Sequence, residues 1–185
     1  MSKRLPNRVS GLSLLEIILV LALLLVLSGM AVPSLARYWE YFQLDSGTQS
    51  LSASLEIGRF NSISKRQTIV FRLNAGVGSY DFFEDRNENG DLDTGERALG
   101  AYSLPQHVQF RGQGLLGPPS SPGAPVSDPI TFSGDRVVFN RLGKLNGGVG
   151  TIYLQNDLGD ATAISFNIAS RLKIYRWDKS AKVWK

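Results

Sequence analysis

Residues 12–32 read LSLLEIILVLALLLVLSGMAV, a 21-residue run in which Glu16 is the one charged residue. At about 1.5 Å per residue such a run makes a helix of roughly 31 Å, the thickness of a bilayer's hydrocarbon core. A membrane-spanning helix over 12–33 is therefore predicted. Pro33 has no amide hydrogen and is expected to kink a helix, yet the pattern resumes beyond it. Leu35, Tyr38, Trp39 and Phe42, then Leu51, Leu55 and Ile63, recur at three- to four-residue spacing, which predicts one apolar stripe on an amphipathic continuation over 34–66. Asp45-Ser46-Gly47 is the weak point of this helix, because an interior Gly costs about 1 kcal/mol against Ala. The rings of Tyr38, Trp39, Tyr41 and Phe42 suit an interfacial belt where a helix leaves a bilayer.

From Thr68 the period shortens toward two. Segments 68–73, 80–83, 98–104, 108–110, 130–132, 137–139, 151–154, 164–168 and 172–177 are rich in β-branched and aromatic residues. They are punctuated by Gly, Asn, Asp and Pro, so they read as strands joined largely in antiparallel hairpins. Asn156-Asp157-Leu158-Gly159-Asp160 reads as a compact hairpin loop, and 114–129, with five prolines, as a long surface loop. There is no internal repeat.

Charge sharpens this division. The formal net charge is +4, but Lys3, Arg4 and Arg8 precede Leu12 and no acid does, so a chain cut after Gly11 carries +1. Residues 81–96 hold seven acids against Arg86, whereas 171–185 hold six cations against Asp178. An anionic partner would meet the second segment. There is no cysteine, which excludes disulfides and thiolate metal sites.

A basic segment ahead of an apolar run suggests a secretory signal, but this run is about twice the usual length, and the cleavage-like junction Ser10-Gly11-Leu12 lies before it. Cutting there leaves the anchor in place. The cations ahead of the span put the N-terminus in the cytoplasm. Glu16 is the most informative residue, because an ionised carboxylate inside a membrane helix costs about 2.5–3.5 kcal/mol and is rarely kept without a role. Four residues before it stands Leu12, whose amine cleavage would free; in an array of such helices a neighbour's ammonium would neutralise Glu16. The plainer reading is a carboxylate that snorkels to the interface or stays protonated.

Gly11-Leu12-Ser13-Leu14-Leu15-Glu16 resembles the G-F-[ST]-L-x-E processing motif of type IV prepilins and type II secretion pseudopilins, with Leu12 in place of Phe. Pro33, twenty-second from Leu12, falls where these proteins carry a helix proline. Further on, the segments Phe139-Asn140-Arg141-Leu142-Gly143, Gly150-Thr151-Ile152-Tyr153-Leu154 and Ser170-Arg171-Leu172-Lys173 are similar to those of the GspH/FimT branch, with Ser170 where that branch has Gly. The resemblance implies cleavage after Gly11 by the prepilin peptidase, methylation of the Leu12 amine, and filament assembly through Glu16 and Pro33. Implied partners are other pilin or pseudopilin subunits and an inner-membrane assembly platform. The implied fold is α+β: a long N-terminal transmembrane helix continuing into an amphipathic helix packed on antiparallel β-sheets. The chain then divides into a cleaved leader (1–11), the filament-core helix (12–33), its continuation (34–66) and a β-rich periplasmic domain (67–185). The implied function is that of a minor pilin or pseudopilin, a structural subunit of a type IV pilus or a type II secretion pseudopilus. The alternative is a DNA-binding minor pilin of a transformation apparatus.

Two segments carry candidate chemistry. The run Asp85-Arg86-Asn87-Glu88-Asn89-Gly90-Asp91-Leu92-Asp93-Thr94-Gly95-Glu96 fits the calcium-loop template D-x-[DN]-x-[DN]-G-x5-E. Asp85, Asn87, Asn89, the Asp91 carbonyl, Asp93 and Glu96 would supply oxygens, although strands rather than helices flank them. The competing reading is an acidic hairpin tip in which Asn and Gly only make turns. In the cationic tail, Arg171, Lys173 and Arg176 could meet phosphates beside Tyr175 and Trp177; alternatively, Lys and Arg there protect a sheet edge from aggregation. His107 is the single histidine, and no nucleophile elbow, phosphate loop or His-based zinc motif is present, so the chain reads as a non-enzyme requiring no cofactor.

Overall fold

The computed structural model describes residues 13–117, 119 and 123–185, and for 30–34 and 36 the backbone only. The predicted leader 1–11, Leu12 and the side chain of Pro33 lie outside this description. The chain forms two bodies, Met1–Tyr38 and Trp39–Lys185. Helix α1, Leu14–Lys65, contributes to both. Its start is set by Ser13, whose carbonyl accepts the amides of Glu16 and Ile17 at 3.0 and 3.2 Å.

In the first body the apolar side chains of α1 face outward all round, with Leu14 and Leu25 76 % and 75 % exposed. Among the described residues no helix is long and apolar enough to cross a membrane. Of the predicted span 12–33, Leu12 and the side chains of 30–33 lie outside the description.

The second body is built from strands that follow α1. They are β1 (Thr68–Asn74), β2 (Ser79–Asp85), β3 (Ala98–Ser103), β4 (Val108–Phe110), β5 (Leu116–Gly117) and β6 (Ala124–Pro125). A 3-10 turn at Ser133–Asp135 leads to β7 (Arg136–Phe139), β8 (Leu145–Asn146), β9 (Thr151–Asn156), β10 (Ala161–Phe166), β11 (Leu172–Asp178) and β12 (Val183–Trp184). Two five-stranded antiparallel sheets result, ordered β3-β2-β1-β7-β8 and β12-β11-β10-β9-β4, with β5 and β6 paired apart.

The core follows the period of two. Ile69, Phe71 and Leu73 from β1, Val137 and Phe139 from β7, Ile152 and Leu154 from β9, and Ile164 and Phe166 from β10 all turn inward. A chain of rings links the two sheets: Phe71 stacks on Phe82 with centroids 4.5 Å apart, Phe139 meets Phe71 edge-on, and Phe166 meets Phe139 at 5.8 Å. Such pairs add about 0.5–1.5 kcal/mol each beyond their burial.

The helix face that covers this core keeps Leu51 and Leu55 of the predicted stripe but departs from the rest of it. Leu44, Thr48, Leu51, Leu55 and Ser62 are buried, whereas Trp39, Phe42 and Ile63 are largely exposed. The spacing is helical, but small and polar residues share the face with leucines. The Thr48 hydroxyl donates to the Leu44 carbonyl one turn back at 2.7 Å and shares a second hydrogen bond, of 2.6 Å, with the Thr162 hydroxyl of β10. Gly58 lets the helix descend on the sheet: a Cβ there would stand 2.3 Å from the Phe71 ring. The predicted weak point at Asp45-Ser46-Gly47 is helical without interruption. Asp45 accepts from Gln49 one turn on and also receives Arg176, while Leu44 and Leu51 anchor the turns on either side.

Two further expectations change. Residues 130–132 form no strand: Asp128 takes the Ile130 amide, one isolated bridge joins Ile130 to Ile152, and Phe132 turns into the 3-10 segment. The segment 114–129 is more than a surface loop, since β5 pairs with β6 and Leu115 is buried against Tyr153, Ala161 and Ala163. Trp184 closes that second apolar cluster by donating its indole N–H to the Leu116 carbonyl at 2.5 Å.

Candidate functional site

Glu16 occupies the third position of α1, three residues after Ser13, so its carboxylate lies in the first turn where the helix dipole favours negative charge. That placement gives it a local reason to exist, independent of the assembly role that the resemblance implies. Gly11 and Leu12 lie outside the described residues.

The acidic segment forms the connection between β2 and β3, and most of its side chains turn back on its own backbone. Asp85, only 2 % exposed at the end of β2, accepts the Gly90 amide through Oδ2 at 2.8 Å. Its Oδ1 is buried without a hydrogen-bond partner. Gly90 has φ +82°, the left-handed turn that the template's glycine is there to provide. Glu96 closes the loop with both oxygens, Oε1 accepting from the Arg86 amide at 2.8 Å and Oε2 from the Asp93 amide at 3.0 Å. Asp93 Oδ2 receives the side-chain amides of Asn87 and Asn89 at 2.8 and 2.6 Å.

These bonds hold the carboxyls of Asp93 and Glu96 below their ordinary range, for Asp93 through the two Asn amides and for Glu96 through the backbone amides of Asp93 and Arg86. Among the described residues no three His, Cys, Asp or Glu side chains gather as a metal cluster. The six template residues are thus brought into one loop, but in a form closed by Asn side chains rather than by carboxylates alone.

Three residues outside this loop reach it. Arg136 donates to the Gly90 carbonyl at 2.7 Å and pairs with Asp91 at 2.9 Å; Arg141 pairs with Glu88 at 3.1 Å, and Thr68 donates to the same Glu88 oxygen. No local signal in the sequence announces them.

In the cationic tail the structure separates residues that the sequence grouped. Arg176 is ion-paired with Asp45 of α1, Lys179 with Asp160 at 2.6 Å, and Lys185 with Asp178 at 2.5 Å. Arg171 and Lys173 are exposed or nearly so, and the Lys173 ammonium lies 4.6 Å from the Tyr175 ring centre. Arg176 therefore ties helix to sheet, with its side chain still 58 % exposed. Nor is β11 a simple edge, since Trp177 and Asp178 pair with Trp184 and Val183 of β12. His107 stands at the surface with Nδ1 2.8 Å from Asp157.

A helix packed on antiparallel sheets around an aromatic core places this chain in the class of pilin-like α+β proteins. The sequence matches the family described as type II transport protein GspH over residues 47–170, and the chain belongs to that family. The pilin-like protein PilA1 of Thermus thermophilus is 36 % identical over 87 residues, 46 % of this chain and 54 % of that protein. The chain thus matches about half the length of that curated relative. The type IV minor pilin FimU of Pseudomonas aeruginosa superposes with a TM-score of 0.51 at 14 % identity, covering 77 % of this chain and 93 % of FimU. The minor pseudopilin EpsH of the Vibrio cholerae type 2 secretion system gives a TM-score of 0.49 at 12 % identity, covering 71 % and 95 %.

Proposed function

We propose that this chain is a minor pilin or pseudopilin, a non-catalytic subunit that joins a filament of related subunits through its N-terminal helix. The observation that carries the reading is the contrast along α1. Its C-terminal half packs one face on the sheets, while side chains such as Leu14, Leu15, Leu19 and Leu25 stand more than 60 % exposed. An apolar helix surface of that extent needs lipid or other apolar helices around it. Before assembly the run over 12–33 lies in the inner membrane with the N-terminus cytoplasmic and residues 67–185 periplasmic. The prepilin peptidase removes residues 1–11, the Leu12 amine is methylated, and a neighbouring subunit's terminus meets Glu16 in the filament. Association with an assembly platform in the inner membrane follows from the same reading.

The test is the intact mass of membrane-extracted protein, which should show loss of residues 1–11 and one added methyl group. A mature chain that begins at Met1, or beyond Val32, removes the basis of the proposal. In the same cells Glu16→Leu should leave membrane insertion intact and reduce incorporation into filaments. Equal incorporation of variant and parent rejects the role of Glu16.

A further inference from the structure

The β2–β3 connection contains a buried carboxylate oxygen with no partner. Asp85 is 2 % exposed, its Oδ2 is turned into the loop by the Gly90 amide, and its Oδ1 has nothing to accept from. A buried acceptor left unsatisfied is costly, and the usual completions are an ordered water or an ion. The loop around it carries oxygen-bearing side chains at the sequence positions of the calcium-loop template, which the ion would have to draw together.

We propose that residues 85–96 form a calcium site in which Asp85 Oδ1, the side-chain oxygens of Asn87 and Asn89, the Asp91 carbonyl, Asp93 and both oxygens of Glu96 surround the ion.

Two observations on charge support this assignment. The arginines that reach the loop take the acidic side chains that the site does not use: Arg141 pairs with Glu88, and Arg136 with the Asp91 carboxylate while it also holds the Gly90 carbonyl. Among the described residues Asp85, Asp93 and Glu96 have no cationic partner. The negative charge of these three carboxylates is balanced only by amide hydrogen bonds, and a divalent cation would neutralise it directly. The second observation concerns the Asn side chains. Asn87 and Asn89 hold Asp93 with their amide nitrogens, while their side-chain oxygens accept the backbone amides of Asn89 and Asp91. Turning their oxygens inward frees Asp93 for the ion. Glu96 need not release the amides of Arg86 and Asp93, because each carboxylate oxygen has a second lone pair.

Selectivity follows from the donor set. A flexible shell of carboxylate, amide and carbonyl oxygens suits the larger calcium ion, whereas magnesium demands a tighter octahedron and keeps its own water. With three charged ligands in a loop exposed to solvent, affinity belongs in the range of extracellular modules, a Kd of about 10⁻⁴–10⁻³ M. Binding draws β2, β3 and, through Arg136, β7 together at one end of the sheet.

The experiment uses the full chain extracted in detergent, stripped with a chelator and dialysed. Equilibrium dialysis against labelled calcium should show one ion per chain, and the melting temperature should rise by about 5–10 °C when calcium reaches a hundred times its Kd. Magnesium should bind at least tenfold more weakly. Asp85→Asn with Glu96→Gln should lose calcium binding by at least tenfold while keeping the parent's far-ultraviolet circular dichroism. Should that pair fail to fold, Glu96→Asp keeps the charge, shortens its reach to one oxygen, and should weaken calcium by a similar factor. Absence of saturable calcium uptake by the parent chain overturns the proposal, as does uptake unchanged in whichever variant folds.

Discussion

Gly58→Ala is the sharpest probe of how α1 sits on the sheets, because two effects of known size oppose each other there. As an ordinary helix position the substitution should stabilise by about 1 kcal/mol, since Ala restricts the unfolded chain and favours the helix. The site is not ordinary. The added Cβ would lie 2.3 and 2.5 Å from Cε2 and Cζ of Phe71, where carbon atoms prefer about 3.5–4.0 Å. Phe71 is fully buried and cannot swing aside, with Phe82 stacked on one face and Phe139 against its edge. Overpacking of a fixed core costs about 1–3 kcal/mol, and an overlap of about 1 Å on two atoms belongs at the top of that range. The expected balance is a loss of about 2 kcal/mol, or about 4–8 °C in melting temperature for a chain of this length.

Urea unfolding of parent and variant measures it. Phe71→Leu removes the atoms that clash, so in that background Gly58→Ala should become neutral or stabilising, with a coupling energy of about 2 kcal/mol. A gain of about 1 kcal/mol for Gly58→Ala in the parent, as at an exposed helical glycine, would refute the argument that Gly58 is a contact point.

The tail tests the DNA reading. Because Arg176 is held by Asp45, replacing Arg171, Lys173 and Arg176 with Gln should cost about 0.2–1 kcal/mol of stability and raise aggregation, with negligible binding of a labelled duplex by either protein at low salt; strong, salt-sensitive binding abolished by the triple substitution would instead favour a DNA receptor. Asp178 provides a pH test, since Lys185 and the amides of Ala181 and Ser180 lower its carboxyl pKa to about 2. Its folded value lies below the unfolded one of about 3.9, so its stabilisation of the β11–β12 turn is complete above about pH 4 and is lost as pH falls through 2. An Asp178 carboxyl resonance that titrates near pH 4 rejects those contacts.

Elements whose signal is local could be read from the residues alone. The apolar run and its single acid, the helix that ends at Lys65, most strands and the 156–160 hairpin are set by periods of 3.6 and 2 and by turn residues, and each needs only near neighbours. The acidic loop was equally visible, because all twelve of its positions are consecutive. What depends on partners distant in the chain emerged only on folding. Packing joined Leu44, Thr48, Gly58 and Ser62 to Leu51 and Leu55 of the predicted stripe as the helix's inner face. A count of large apolar residues misses this, since where a helix meets a sheet closely, small side chains fit and large ones clash. Folding also removed Arg176 from the free cations by placing it on Asp45, 131 residues away, and aimed Arg136 and Arg141 at the acidic loop. Above all, it left one oxygen of Asp85 buried and unpartnered, because pairing and burial depend on the surroundings of a residue in three dimensions and not on its identity.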